Sequence, residues 1–211
     1  MHPPEETLLS FVSGEADLPA RVVLEGHLDG CPDCRETVRS LRAPGARLFD
    51  SLGGEGGAPS GLWQRLERRV AALGPPARPE ASPLAGYPVP AGAIRELADD
   101  SRVPHWRLIF GGRFAVLHRD RASGSMLILG RSRPARFVPR HRHVGSEEVL
   151  VLRGGFEDQY GHFEAGMYAS YEAGTEHRPW IEDKEPCWML ARLEKPVEFT
   201  GWRGWVQKLV T

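Results

Sequence analysis

At 211 residues, with 41% hydrophobic and 26% charged content, the chain is long enough for one large domain or two small ones and too apolar to be disordered throughout. A net charge of −1 gives no overall basic field for nucleic acid, and three cysteines are too few for a disulfide scaffold, which points to a reducing compartment. No apolar run approaches the roughly 18 to 20 residues of a membrane span, and the N-terminus carries no basic-then-apolar leader, so the expected location is the cytoplasm.

In chain order, Pro3 and Pro4 precede Leu8, Leu9, Phe11 and Val12, a helical apolar face over residues 3 to 14 that ends at Gly14. A second helix is predicted over about 18 to 29 with Val22, Val23 and Leu28, and a third from Pro32 with Val38 and Leu41. The first 40 residues are acidic: Arg21, Arg35 and Arg39 stand against Glu5, Glu6, Glu15, Asp17, Glu25, Asp29, Asp33 and Glu36. Such a face is either simply solvated or suited to a basic protein surface, and it repels DNA.

Between the second and third helices runs His27-Leu-Asp-Gly-Cys31-Pro-Asp-Cys34, three zinc-ligand side chains within eight residues. A thiolate pair in C-x-x-C spacing grips one ion from a single turn, and a histidine four residues earlier reaches it from the preceding helix. Gly30 ends one helix and Pro32 suits the first position of the next, so Cys31 falls at an N-cap, in a positive helix-end field that lowers thiol pKa. A tetrahedral site needs a fourth ligand, and His2 is the other histidine in the first hundred residues. The alternative is a redox pair, but no strand-turn-helix pattern surrounds it and His27 would be idle. Zinc also answers a folding need, because three short helices make a marginal core to which a structural zinc contributes roughly 10 to 16 kcal/mol of apparent binding energy.

Gly53-Gly54-Glu-Gly56-Gly57-Ala-Pro59 is a flexible break, after which Ser60 caps an amphipathic fourth helix with Leu62, Trp63, Leu66, Val70 and Leu73. That helix either covers the module's core, the commoner case, or grips a partner. Prolines 75, 76, 79, 83, 88 and 90 then mark a boundary, giving an N-terminal domain over 1–73, a proline-rich linker over 74–92 and a second domain over 93–211.

Past the boundary the periodicity becomes β-like. Short runs at 106–110, 114–117, 126–129, 149–152, 167–171 and 188–193 are separated by Gly111-Gly112, Ser123-Gly124 and Gly154-Gly155, the texture of a sandwich or barrel. In His141-Arg-His143-Val-Gly-Ser-Glu147 the two histidines face one side of an extended chain, and His177 in Gly174-Thr-Glu-His177 closes a set of three imidazoles and one carboxylate. That set suits zinc, iron, manganese, nickel or copper, with zinc slightly preferred; the alternative is a pair of exposed histidines between Arg140 and Arg142.

His141-x-His143-x-x-x-Glu147 followed by Gly154 resembles the first cupin motif, and Gly166 through Gly174 to His177 resembles the second. Departures are Ala135 for the leading glycine, Glu172 for a proline and Ile181 for an asparagine; they bear on substrate chemistry rather than on fold. Nearly all of the chain resembles the ChrR family of zinc anti-sigma factors, with His2, His27, Cys31 and Cys34 carrying the N-terminal signature and His141, His143, Glu147 and His177 the cupin one. The resemblance implies an α+β multidomain protein, a small zinc-stapled helical bundle followed by a cupin-like antiparallel β-barrel. It implies Zn2+ in the first site and Zn2+ or another divalent transition metal in the second.

It further implies a one-to-one complex with an extracytoplasmic-function-type sigma factor, no direct nucleic acid or membrane partner, and release under singlet oxygen or organic peroxide. On that view zinc fixes the helices so that Leu8, Phe11, Val22 and Val23 face the sigma factor. The signal enters either by oxidation of Cys31 or Cys34, or, as the resemblance favours, through the cupin-like domain. Cys187, in the apolar run Cys187-Trp-Met-Leu190, reads as a buried inert thiol. The competing class is a metal-dependent cupin enzyme of dioxygenase type, for which Tyr160 and His162 are weak candidates, better placed on a turn. DNA binding by a zinc finger fits poorly with the acidic N-terminus.

Overall fold

In the computed structural model, which describes residues 1–52, 59–72, 82–97, 104–109 and 112–200, Pro4 opens α1 (Glu5–Ser13), which Gly14 ends in the left-handed conformation. The Asp17 carboxylate accepts from the Ala20 N–H at 2.9 Å and so caps α2 (Leu18–Gly30), where Pro19 occupies the first turn without loss of a backbone bond. Cys31 separates α2 from α3 (Pro32–Leu52), a longer helix than expected that runs through Pro44. The glycine break at 53–57 and prolines 75, 76 and 79 lie outside the described residues. Prolines 83, 88 and 90 do not: they belong to a turn-rich stretch leading into α5 (Ala91–Glu96), which starts directly after Pro90. Leu84, Val89, Ala93 and Leu97 of this stretch are buried in the same core as α2.

Among the described residues thirteen strands follow: β1 (Arg107–Ile109), β2 (Gly112–Arg119), β3 (Met126–Ser132), β4 (Arg136–Phe137), β5 (His141–Arg142), β6 (Glu147–Arg153), β7 (Gly155–Asp158), β8 (Gly161–Glu164), β9 (Tyr168–Tyr171), β10 (Glu176–His177), β11 (Trp180–Ile181), β12 (Cys187–Leu193) and β13 (Glu198–Phe199). They form antiparallel sheets in the orders β1-β2-β3-β12-β6-β9, β10-β5-β13 and β4-β11-β7-β8. The cupin-like β architecture is thus present, built as separate sheets around one interior rather than one closed ring of hydrogen bonds. All six runs legible in the sequence contribute to the large sheet; the two-residue strands are too short to show a period of two.

Alternation along the six-stranded sheet divides the molecule. Ala115, Leu117, Leu127, Leu129, Leu150, Tyr168 and Leu190 face the helices and share a core with Leu8, Val22, Val23, Leu24 and Leu28. Val149, Val151, Ala169, Tyr171, Cys187 and Ala191 face the interior, against Phe156, Phe163 and Ile181. Leu8, Val22 and Val23 are therefore not available to a partner: their exposures are 3%, 0% and 0% because they are packed into the core that the helices share with the sheet, and Phe11 packs half-buried on the same core. The reverse holds for α4 (Leu62–Ala72), which buries no residue; Trp63 and Val70 are 69% and 66% exposed.

Two turn positions, one that matches the cupin motif and one that departs from it, show what the backbone requires there. Gly154 has φ 69°, and a Cβ there would lie 2.7 Å from the Pro186 carbonyl oxygen, so no other residue fits. Ala135, at φ 51°, is the one non-glycine at positive φ among the described residues. Ala135→Gly is expected to stabilise the protein by about 0.5 to 1 kcal/mol, raising the melting temperature by about 1 to 4 °C in a thermal melt. An unchanged or lower melting temperature would refute the strain argument.

Two candidate metal centres

The first centre lies where the chain start, the end of α2 and the start of α3 meet. One ligand atom each of His2, His27, Cys31 and Cys34 lies within 4.8 Å of the others. The His2 Nδ1 is 3.3 Å from both sulfurs, and the His27 Nε2 is 3.4 Å from Cys34 Sγ. The Cys34 N–H points at Cys31 Sγ at 3.5 Å, the N-cap arrangement expected of the C-P-x-C turn. The thiol of Cys34 is not activated, however: burial and the adjacent Cys31 push it up to about 12, overriding the helix-end field. A cation reverses this penalty, so two crowded thiols and two imidazoles fit a divalent ion as a donor set.

His27 carries a second contact that local spacing does not reveal. Its Nδ1 lies 3.0 Å from the carbonyl oxygen of Gly166, in the turn before β9, and its ring meets the Tyr168 ring edge-on at 6.0 Å. The carbonyl fixes the proton on Nδ1 and leaves the Nε2 lone pair toward the sulfurs. The helical centre is thereby held by the sheet domain.

The second centre gathers His141, His143, Glu147 and His177, again with ligand atoms within 4.8 Å. Pairing of β10 with β5 sets His177 directly opposite His141. His141 Nδ1 faces the Pro139 carbonyl oxygen at 2.8 Å, and His177 Nδ1 faces Asp158 Oδ2 at 2.7 Å. With both Nδ1 protons so committed, two Nε2 lone pairs meet at 2.8 Å, a repulsive contact that a cation between them converts into ligation. His143 is buried with neither ring nitrogen hydrogen-bonded, its Nδ1 3.0 Å from Glu147 Oε2.

Burial and the neighbouring His177 hold His141 down at about 4, and burial with His177 and His141 holds His143 at about 3, so both are neutral, the ligating form. Burial pushes Glu147 up to about 8. The residues fit a transition-metal ion on all counts: three imidazoles, one carboxyl, and two orphaned nitrogens.

Asp158 and Tyr171 complete this centre and escape sequence reading. The Tyr171 hydroxyl donates to Asp158 Oδ2 at 2.9 Å, and its ring stacks on His143 with centroids 5.2 Å apart and planes 3° from parallel. Burial raises the Asp158 carboxyl, but hydrogen bonds from His177, Tyr160 N–H and Tyr171 bring it below its ordinary value. Its position on β7, in a hairpin with no apolar alternation, offers no local signal. Tyr160 is an exposed turn residue, as expected; His162 stands on β8 with Glu164 and Glu182, an exposed group whose His162–Glu182 contact raises the imidazole pKa. Cys187 is fully buried with its thiol pushed up to about 12, which matches an inert core cysteine.

Glu147 has an immediate neighbour of opposite orientation. Glu148 faces the helices, paired across β6 and β12 with Arg192. Arg192 grips the Asp17 carboxylate through Nε at 3.0 and 3.1 Å and Nη2 at 2.8 Å, while Ser125 Oγ donates to Asp17 at 2.8 Å. The cap of α2 is thus also its attachment to the sheet.

Comparison with known proteins agrees with this geometry. The ChrR Cupin-like domain family matches residues 95–196, which include all four residues of the second centre. A zinc-finger family matches residues 5–35, which include His27, Cys31 and Cys34. The anti-sigma-E factor ChrR of Cereibacter sphaeroides is 30% identical over 205 residues, covering 95% of this chain and 92% of that protein. The crystal structure of Rhodobacter sphaeroides SigE in complex with the anti-sigma ChrR aligns with a TM-score of 0.66 and 28% identity, over 91% of this chain and 97% of that one. Among the described residues no helix is long and apolar enough to cross a membrane. Two metal-type centres on a helical module and a cupin-like sandwich, with end-to-end similarity to such a relative, show that the chain belongs to the ChrR family of anti-sigma factors.

Proposed function

We propose that this protein sequesters one extracytoplasmic-function-type sigma factor in the cytoplasm, one to one, and releases it under oxidative stress, with singlet oxygen or an organic peroxide as the signal. The observation that carries the reading is α4, an amphipathic helix whose Trp63, Leu66 and Val70 are all exposed. An unpartnered apolar face of this kind is a helix-in-groove ligand, and the related structure contains a sigma factor. The docking surface is then α4 with Leu48 of α3, rather than the buried Leu8, Val22 and Val23.

In this reading residues 1–73 form the sigma-binding domain and 93–211 the sensing domain, and 74–92 joins them, with Leu84 and Val89 of that connection anchored in the shared core. His2, His27, Cys31 and Cys34 hold a structural Zn2+, and His141, His143, Glu147 and His177 hold Zn2+ or another divalent transition metal. A bound metal supplies cross-linking in the first site and a Lewis-acidic, peroxide-accessible centre in the second. What this chain's residues do is transmit. Glu147 faces the second centre and Glu148 the helices, while Tyr171 stacks on His143 and Tyr168, three residues earlier on β9, meets His27. Regulatory use, not catalysis, is also supported by the cavity beside the second centre, about 150 Å3 in volume. Apart from the ligand set, Tyr171 is the one titratable side chain among its described lining residues, and Asp158 behind it is engaged by His177 and Tyr171.

Co-expression with a candidate sigma factor should yield a one-to-one complex by size-exclusion chromatography. Trp63→Asp and Val70→Asp, both at largely exposed positions, are expected each to weaken it about 30-fold or more without moving the melting temperature. Full retention of the complex by both variants would sink the reading.

A further inference from the structure

Four neighbouring strands carry a row of side chains that none of the foregoing uses. Arg113 on β2 is in register with Arg131 on β3, Arg131 with Trp188 on β12, and Trp188 with Arg153 on β6. Cross-strand partners project on one face, so three guanidinium groups and an indole stand side by side across about 14 Å of sheet, at a strand spacing of about 4.8 Å. Two like charges placed directly opposite, Arg113 and Arg131, destabilise a sheet unless an anion bridges them. Among the described residues Glu185, 2.5 Å from Arg153 Nε, is the one carboxylate ion-paired with any of the three, so within those residues Arg113 and Arg131 carry no carboxylate partner.

Beside the row, Tyr87 and Trp106 converge on Trp188. The three rings form a triangle with centroid separations of 5.8, 5.9 and 5.9 Å, and Trp106 Nε1 donates to the Tyr87 hydroxyl at 3.3 Å. The Arg131 guanidinium lies 5.5 Å from the Trp188 ring centre. Together the six side chains line an open hollow of about 480 Å3, within the range of small-ligand sites.

We propose that this hollow is a binding site for a nucleoside phosphate, its base against the aromatic triangle and its phosphates on Arg113 and Arg131. Guanidinium forks match phosphate oxygens in pairs, and indole and phenol rings offer stacking surface to any base. A row about 14 Å long exceeds the reach of a single carboxylate and matches a diphosphate joined to a ring. A polynucleotide fits less well, because the chain's net charge of −1 supplies no continuing basic track. None of its lining residues belongs to either metal set, and the site stands whether or not the sigma-factor reading holds.

The test uses the full-length, zinc-loaded protein, titrated separately with ADP, adenosine, pyrophosphate and a ten-nucleotide single strand. Tryptophan fluorescence and calorimetry report binding. ADP is expected to saturate one to one and to bind at least about tenfold tighter than adenosine or pyrophosphate. Arg113→Gln and Arg131→Gln should each weaken ADP about tenfold or more, as expected for loss of a charge-assisted pair. In the ligand-free protein the same variants should leave the melting temperature equal or higher, since each removes a like-charge contact. Three outcomes overturn the proposal: no saturable ADP binding, pyrophosphate binding as tightly as ADP, or unchanged affinity in both variants. Tighter binding of the oligonucleotide than of ADP overturns it in favour of a polynucleotide surface.

Discussion

Cys34→Ser is expected to lower the metal content from two ions per chain to one and to disorder the region where α1, the end of α2 and the start of α3 meet. A structural zinc is worth roughly 10 to 16 kcal/mol in isolated zinc-finger peptides, but here α2 keeps its packing against the sheet, so the loss is local rather than global. Two transitions should replace one in a thermal melt, the lower one tracking helical circular dichroism, and sigma-factor binding should fall with it. His141→Ala is the matched control: it is expected to lower the metal content at the other centre and to leave the complex intact. A Cys34→Ser protein that keeps both ions and a single transition would show that the first centre does not staple the helices.

Asp17→Ala should be the most damaging substitution away from either metal centre. It leaves Arg192 largely buried without its partner, at a cost of about 3 to 5 kcal/mol, and removes the cap of α2, for about 1 kcal/mol more. With about 2 to 4 °C per kcal/mol for a chain of this size, the melting temperature should drop by roughly 8 to 24 °C. Asp17→Asn separates the two roles, because asparagine caps as well as aspartate but cannot pair with Arg192. The same carboxylate predicts a pH dependence. Burial raises its pKa, but the hydrogen bond from Arg192, the Ala20 N–H and the Arg192 charge outweigh burial and leave it below 3.8. A depressed folded-state pKa contributes stability that is present above the unfolded value and is lost as pH falls through the folded one. Acid melts of the parent should therefore lose stability below about pH 4 by a component that Asp17→Asn lacks. Parallel acid limbs for the two proteins would refute the assignment.

Much of this is legible in the sequence because it is local. His27, Cys31 and Cys34 meet because one helix ends and another begins between them, and His141 and His143 share a face because strands alternate. What escapes depends on distant pairing. Asp158, Gly166 and the Arg192–Asp17 attachment bring together residues 19 to 175 apart in sequence, for which a single sequence has no register. The faces of α1 and α2 are apolar, as their spacing predicts, yet they are buried in the protein's own core and not against a partner, since amphipathicity says that a face must be covered and not by what. Conversely α4, for which covering the core is the commoner expectation, buries nothing. The thiol of Cys34 departs from expectation for a related reason: a helix-end field is visible in the spacing, whereas the burial that outweighs it is a tertiary property.

The two attachments of α2 also have a mechanical meaning. Asp17 is fastened to Arg192 at one end and His27 to Gly166 near the other, so this 13-residue helix is a beam about 20 Å long with a support close to each end. Between them the buried Val22, Val23 and Leu24 hold the middle of the rod in the core, so freeing the Arg192 support loosens the Asp17 end and freeing the Gly166 support loosens the His27 end. The two releases swing opposite ends of the same rod, so the support that yields decides whether the α1 side or the α3 side of the helical module moves.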